Sequence, residues 1–192
     1  SPPPPRPRDA HASATTTRTQ RGLAVTTYAD YTEEEQELLR SAIASAAVAI
    51  SAASIGRAEE TVSEGYAAAD FVLKSQPDYV GNTLVASILV WLQAQLKTDH
   101  VFPDYVARAS APGALDESMI VLRRVTVLLD AKATPDEAAG YKRWLLDIAR
   151  AVAEAGKEDQ GFLGRGGVMV NDAERAALQG VAEALGLDPL EA

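Results

Sequence analysis

The chain has 192 residues and no cysteine, with 27 acidic against 18 basic side chains for a formal charge of −9; this is enough length to bury a core without covalent or metal staples. The missing cysteine excludes disulfides, thiolate metal sites and cysteine nucleophiles together. Arg6, Arg8, Arg18 and Arg21 against Asp9 and Asp30 leave the first thirty residues at +2, so the rest carries −11, and such a body lacks the basic face that nucleic acid or an anionic membrane wants.

Residues 1–30 read as a disordered basic tail and 31–192 as a single helical domain. The tail opens on Pro2, Pro3, Pro4 and Pro5 and continues through Thr15, Thr16 and Thr17, with almost nothing large and apolar to offset its ordering entropy. The proline run favours extended polyproline II and leaves the tail open to a protein partner. Residues 6–21 share their Arg, Ser and Thr richness with organelle transit peptides. A secretory signal's basic start, apolar centre and small-residue cleavage site are not present, so a cytoplasmic location is expected.

From Tyr31 the pattern is helical. Thr32 with Glu35 forms a capping box for a first helix to about Ser54, burying Leu39, Ile43, Ala46, Ala47, Ile50 and Ala53, with Gly56 placed to end it. The uncharged run between Ser41 and Arg57 is too short and too rich in Ser and Ala to span a bilayer, so no transmembrane segment is expected. A second helix over residues 57–75 is stopped by Pro77, and its buried side is expected to hold Val62, Tyr66, Ala69 and Leu73. The third, over 82–97, carries Leu84, Ile88, Trp91, Leu92 and Leu96; as the most hydrophobic segment it is expected to be the central helix. Residues 98–113 read as irregular, punctuated by Pro103 and Pro112.

The fourth helix, 115–131, buries Met119, Leu122, Val125 and Leu129. The fifth starts on Thr134 as cap, Pro135 at the first helical position and Glu137 closing the box, and runs through Tyr141, Trp144, Leu145, Ile148 and Val152 to about Gly156. Asn171 and Glu174 open a last helix that buries Leu178, Val181 and Leu185 and ends at Gly186. The predicted fold is all-α, a compact bundle of about six helices. The aromatic residues Trp91, Trp144, Tyr66 and Tyr141 are expected in its core.

Between the last two helices runs Gly161-Phe162-Leu163-Gly164-Arg165-Gly166-Gly167-Val168-Met169-Val170-Asn171-Asp172. Its glycines do not fit G-x-x-x-x-G-K-[S/T] or G-x-G-x-x-G, no strand precedes it, and Asp172 and Glu174 would repel an anion at the helix start. Phe162, Leu163, Val168 and Val170 are expected to pin the loop by packing, which leaves Arg165 without a structural task. His100 stands between Asp99 and Asp104, a pairing that could orient a general base, with no serine or threonine nucleophile announced nearby. The candidate binding residues are therefore Gly164, Arg165, Gly166, Gly167, Asp99 and His100. The carboxylates Glu59, Glu60 and Glu64 read as helix-start or solvated charges. No cofactor and no catalytic residue is expected.

Leu128-Leu129-Asp130-Ala131-Lys132-Ala133, Trp144-Leu145, Ala151-Val152-Ala153-Glu154-Ala155, Gly161-Phe162-Leu163-Gly164 and Ala184-Leu185-Gly186 resemble a group of uncharacterised bacterial helical proteins of similar length, over about a third of the chain. Val170-Asn171-Asp172-Ala173-Glu174 and the apolar helix that follows also resemble the repeated unit of the TerB-like tellurite-resistance fold. In TerB-like proteins acidic residues at the turn are implicated in metal binding. This chain has Gly166 and Gly167 there, with Asp172 and Glu174 after them, so the resemblance implies an all-helical fold more than an activity. The function expected is that of a noncatalytic, acidic helical adaptor or stress-associated protein of TerB-like character. The alternatives are a small helical enzyme or ligand-binding protein using residues 99–104, and a metal-dependent sensor using Asp172 and Glu174.

Overall fold

The computed structural model describes residues 24–54, 58–96, 105–161 and 172–188, and every regular element among them is helical. A 3-10 turn, Tyr28–Asp30, leads into α1 (Glu33–Ala53), α2 (Ala58–Lys74), α3 (Thr83–Leu96), α4 (Tyr105–Ala109), α5 (Ala114–Lys132), α6 (Pro135–Gly161) and α7 (Asp172–Leu185). The extra helix relative to the expected six is α4, inside the stretch read as irregular. Five residues are too few to display a helical period in the sequence.

Short-range chemistry sets the starts. Thr32 Oγ1 accepts from the Glu35 amide at 3.3 Å while the Glu35 carboxylate accepts from the Thr32 amide at 2.8 Å. Glu137 repeats this with Thr134 and, being buried, also accepts from the Thr26 amide at 3.0 Å. Residues 24–30, assigned to the tail from composition, are thereby tied to the start of α6, and Tyr28 is buried against Trp91 with ring centroids 5.6 Å apart. At α3, Asn82 Oδ1 accepts from the Val85 amide at 3.0 Å and its Nδ2 donates to the Glu137 carbonyl at 3.0 Å. That approach is close enough that a Cβ at Gly140 would collide with the Asn82 amide. Gly186, at φ 69°, ends α7 as the sequence predicts.

The centre of the bundle is α1, not α3. Every residue of α1 from 42 to 51 is buried, and the helix is packed by α2, α4, α5, α6 and α7. Lys132 at the end of α5 bonds Glu35 at the start of α1 at 2.6 Å, so the two helices run antiparallel. By contrast α3 lies against α2, α6 and the 3-10 turn, burying Leu84, Val85, Ile88 and Leu89 while Val90 is 60% exposed. Trp91, expected in the core, is half-buried, with the Arg40 guanidinium 5.0 Å from its ring. Trp144 and Tyr141 are fully buried as expected, the indole N–H donating to Ser75 Oγ at 3.0 Å and the phenol to the Leu39 carbonyl at 2.8 Å.

Helix α2 is rotated from its expected setting. Its buried stripe is Thr61, Glu64, Ala68 and Val72, continuing to Ser75, whereas Val62 and Tyr66 face outward at 43% and 73% exposure. Helix α6 continues beyond Gly156 to Gly161. Both departures trace to one cluster of polar groups. None of the described helices is long and apolar enough to cross a membrane.

Candidate functional site

Ser51 lies in the buried run of α1, where neighbouring alanines allow other helices to come near its hydroxyl. Glu64 reaches it from α2, and Tyr105 from the first position of α4. Ser51 donates its hydrogen to the Glu64 carboxylate, and the Tyr105 hydroxyl is 2.8 Å from Ser51 Oγ. A serine has a single hydrogen, so the Tyr105 hydroxyl donates to Ser51 and the chain runs from phenol to hydroxyl to carboxylate. All three residues are 7% exposed or less. Burial pushes the Tyr105 hydroxyl well above its ordinary range, and the charge of Glu64 adds to that rise.

Glycines make the room. A Cβ at Gly65 would stand 2.8 Å from Cδ1 of Tyr105, so glycine lets the phenol ring lie directly on α2. A Cβ at Gly156 would stand 3.4 Å from Oε1 of Glu64 and 3.6 Å from Oε1 of Glu174. The separation of those two carboxylate oxygens therefore cannot exceed the sum of the two distances. Gly156 is inside α6 as a space-maker, which is why it does not end the helix. Glu174, on the first turn of α7, is 5% exposed. The cluster thus joins α1, α2, α4, α6 and α7.

Of the residues expected to carry function, Gly164, Arg165, Gly166, Gly167, Asp99 and His100 lie outside the described residues, as do Asp104, Phe162 and Leu163. Asp172 and Glu174 are separated by burial. The Asp172 side chain is fully exposed and pairs with Arg175 at 2.7 Å, while Glu174 enters the cluster. Among the described residues no three His, Cys, Asp or Glu side chains form a group able to hold a metal ion.

Sequence reasoning missed Ser51, Glu64 and Tyr105. A serine in an alanine helix, a glutamate among glutamates and a tyrosine two residues beyond a proline carry no pattern of their own. The usable signal was Gly65 and Gly156, since a glycine inside a helix costs about 1 kcal/mol relative to alanine and so points to a close approach.

The fold and cluster define an all-helical protein with a sealed polar junction among five of its helices. No family model matches the chain, and neither a curated protein nor a solved structure matches it.

Proposed function

We propose that this is a noncatalytic, acidic helical adaptor of TerB-like character that engages another protein through the outer face of α2. The observation that carries the reading is the division of that helix. Its polar side is closed, with Glu64 at 4% and Thr61 at 8% exposure, and hydroxyl and carboxylate groups there are engaged with one another. Of its apolar residues, Ala68 and Val72 are buried beside those groups, while Val62 and Tyr66 stand on the water side, one turn apart. A carboxylate so enclosed is not open to a substrate, whereas an exposed tyrosine beside an aliphatic residue supplies the rigid amphipathic anchor common at binding hot spots. The all-helical architecture is what the TerB-like resemblance implies.

The test is affinity capture with the full chain immobilised, compared with Val62→Ser and Tyr66→Ser. The reading expects one partner retained near stoichiometry by the parent chain and lost by both variants, with melting temperatures unchanged. Retention unaffected by either variant removes the α2 face. A turnover activity abolished by Glu64→Gln in a folded protein overturns the noncatalytic reading.

A further inference from the structure

We propose that the exposed face of α5 is a homodimer interface, in which two copies pack α5 against α5 antiparallel with Ile120 on the twofold axis. Asp116, Glu117, Ile120, Arg123, Arg124 and Val127 are all exposed, Ile120 at 55% and Val127 at 69%. Their spacing puts them on one stripe of the helix. The stripe reads acidic pair, isoleucine, basic pair, valine. Among the described residues Lys74, Lys132, Lys142, Arg40, Arg150 and Arg175 have carboxylate partners, whereas Arg123 and Arg124, like Arg108 and Arg143, form no ion pair, and Asp116 and Glu117 form none either; α5 is where unpaired charges of both signs share one stripe with exposed apolar residues. They do not pair with one another along the helix, because seven residues is about 10 Å of rise.

A second copy supplies what the stripe lacks. Ile120 is midway between the acidic and basic pairs, so in an antiparallel arrangement centred there each Glu117 faces Arg123 of the second copy and each Asp116 faces its Arg124. The two isoleucines meet between them. This is an isologous contact, with each attraction made twice. Centring the pair on the arginines instead would oppose like charges, so the pattern also selects the register.

The same register places a second apolar contact. Leu38 of α1 with Arg123, Arg124, Val127 and Leu128 lines a shallow groove of about 390 Å³, and the exposed Pro112 and Gly113 before α5 of the second copy fall opposite Val127 and Leu128. Repulsion between two chains of −9 does not forbid this, because charges are screened over about 8 Å at physiological ionic strength while the facing pairs are in contact. A single helix pair is a small interface, so the dimer is expected to be reversible and micromolar.

The experiment is sedimentation of the full chain over a concentration series at physiological salt. The parent protein is expected to show a concentration-dependent monomer–dimer equilibrium. Glu117→Arg alone and Arg123→Glu alone should each weaken association about tenfold or more, since each replaces two attractions by two repulsions. An equimolar mixture of these two variants should dimerise again, because the heterodimer restores opposite charges at both contacts, and the double variant E117R/R123E should do the same. Ile120→Asp should be monomeric with an unchanged helical spectrum. A parent chain that is monomeric throughout overturns the proposal, as does a dimer that survives the single variants, or a mixture no tighter than its components.

Discussion

Two helices of this protein carry opposite compositions and opposite positions. Helix α1, alanine- and serine-rich, is buried on every side over residues 42–51, whereas α3, the richest in Val, Ile and Leu, covers the bundle with one face in water. The difference teaches that hydrophobic density does not locate the centre of a helical bundle. A helix approached by α2, α4, α5, α6 and α7 needs small side chains so that neighbouring axes come close, and the longer side chains belong on the covering helices that reach inward. The two are therefore sensitive to opposite changes: α3 to lost atoms on its inner face, α1 to added ones.

The largest effect is expected from cavity formation in α3. Leu89→Ala removes a fully buried side chain and should cost about 2–5 kcal/mol in urea unfolding, with an unchanged denaturant slope. Should it prove neutral, α3 does not cover the core. Next comes overpacking of α1: Ala47→Leu adds bulk where no side is open and should cost about 1–3 kcal/mol by the same measurement. A cost near zero would mean that α1 has a free face, and the comparison would fail on that side.

Alkali should act on α1. Tyr141 donates its hydroxyl to the Leu39 carbonyl and Tyr105 donates to Ser51, both on α1, and burial raises both phenols above the ordinary value of 10.0. The folded state holds these protons more tightly than the unfolded chain. The stability this contributes is fully present below pH 10 and is lost as pH rises from there towards the folded-state values. Urea midpoints at about pH 8 and about pH 11 should differ, and Tyr141→Phe should reduce the difference. A pH-independent midpoint over that range would show that neither phenol is held neutral by the fold. The smallest effect belongs to the water side of α3, where Val90→Ser should stay within about 0.5 kcal/mol of the parent in thermal melts.

The readable parts of the fold were those governed by neighbours in sequence. Thr32 with Glu35 and Thr134 with Glu137 announced α1 and α6, and Gly186 announced the end of α7, because caps depend on contacts a few residues apart. Helix α2 departs from its local pattern for a physical reason. Val62, Tyr66, Ala69 and Leu73 form the more apolar stripe, but the stripe through Glu64 was the one buried, since Ser51 accepts and relays to its carboxylate and Gly65 admits the Tyr105 ring. Glu64 and Tyr105 are 13 and 54 positions from Ser51 along the chain, too remote for any local pattern to express.

By itself the sequence determined an all-helical chain, the starts of its long helices, an acidic body and the absence of cysteine chemistry, all of which depend on composition or on contacts within one or two turns. Only the tertiary structure decided that α1 is central, that Glu64 and Glu174 are enclosed beside Gly156, and that Asp116, Glu117, Arg123 and Arg124 are left facing water. The reason is that burial is a property of what surrounds a side chain. A carboxylate can be enclosed when remote groups bond it, and an apolar residue is exposed when the bundle closes on the other face of its helix.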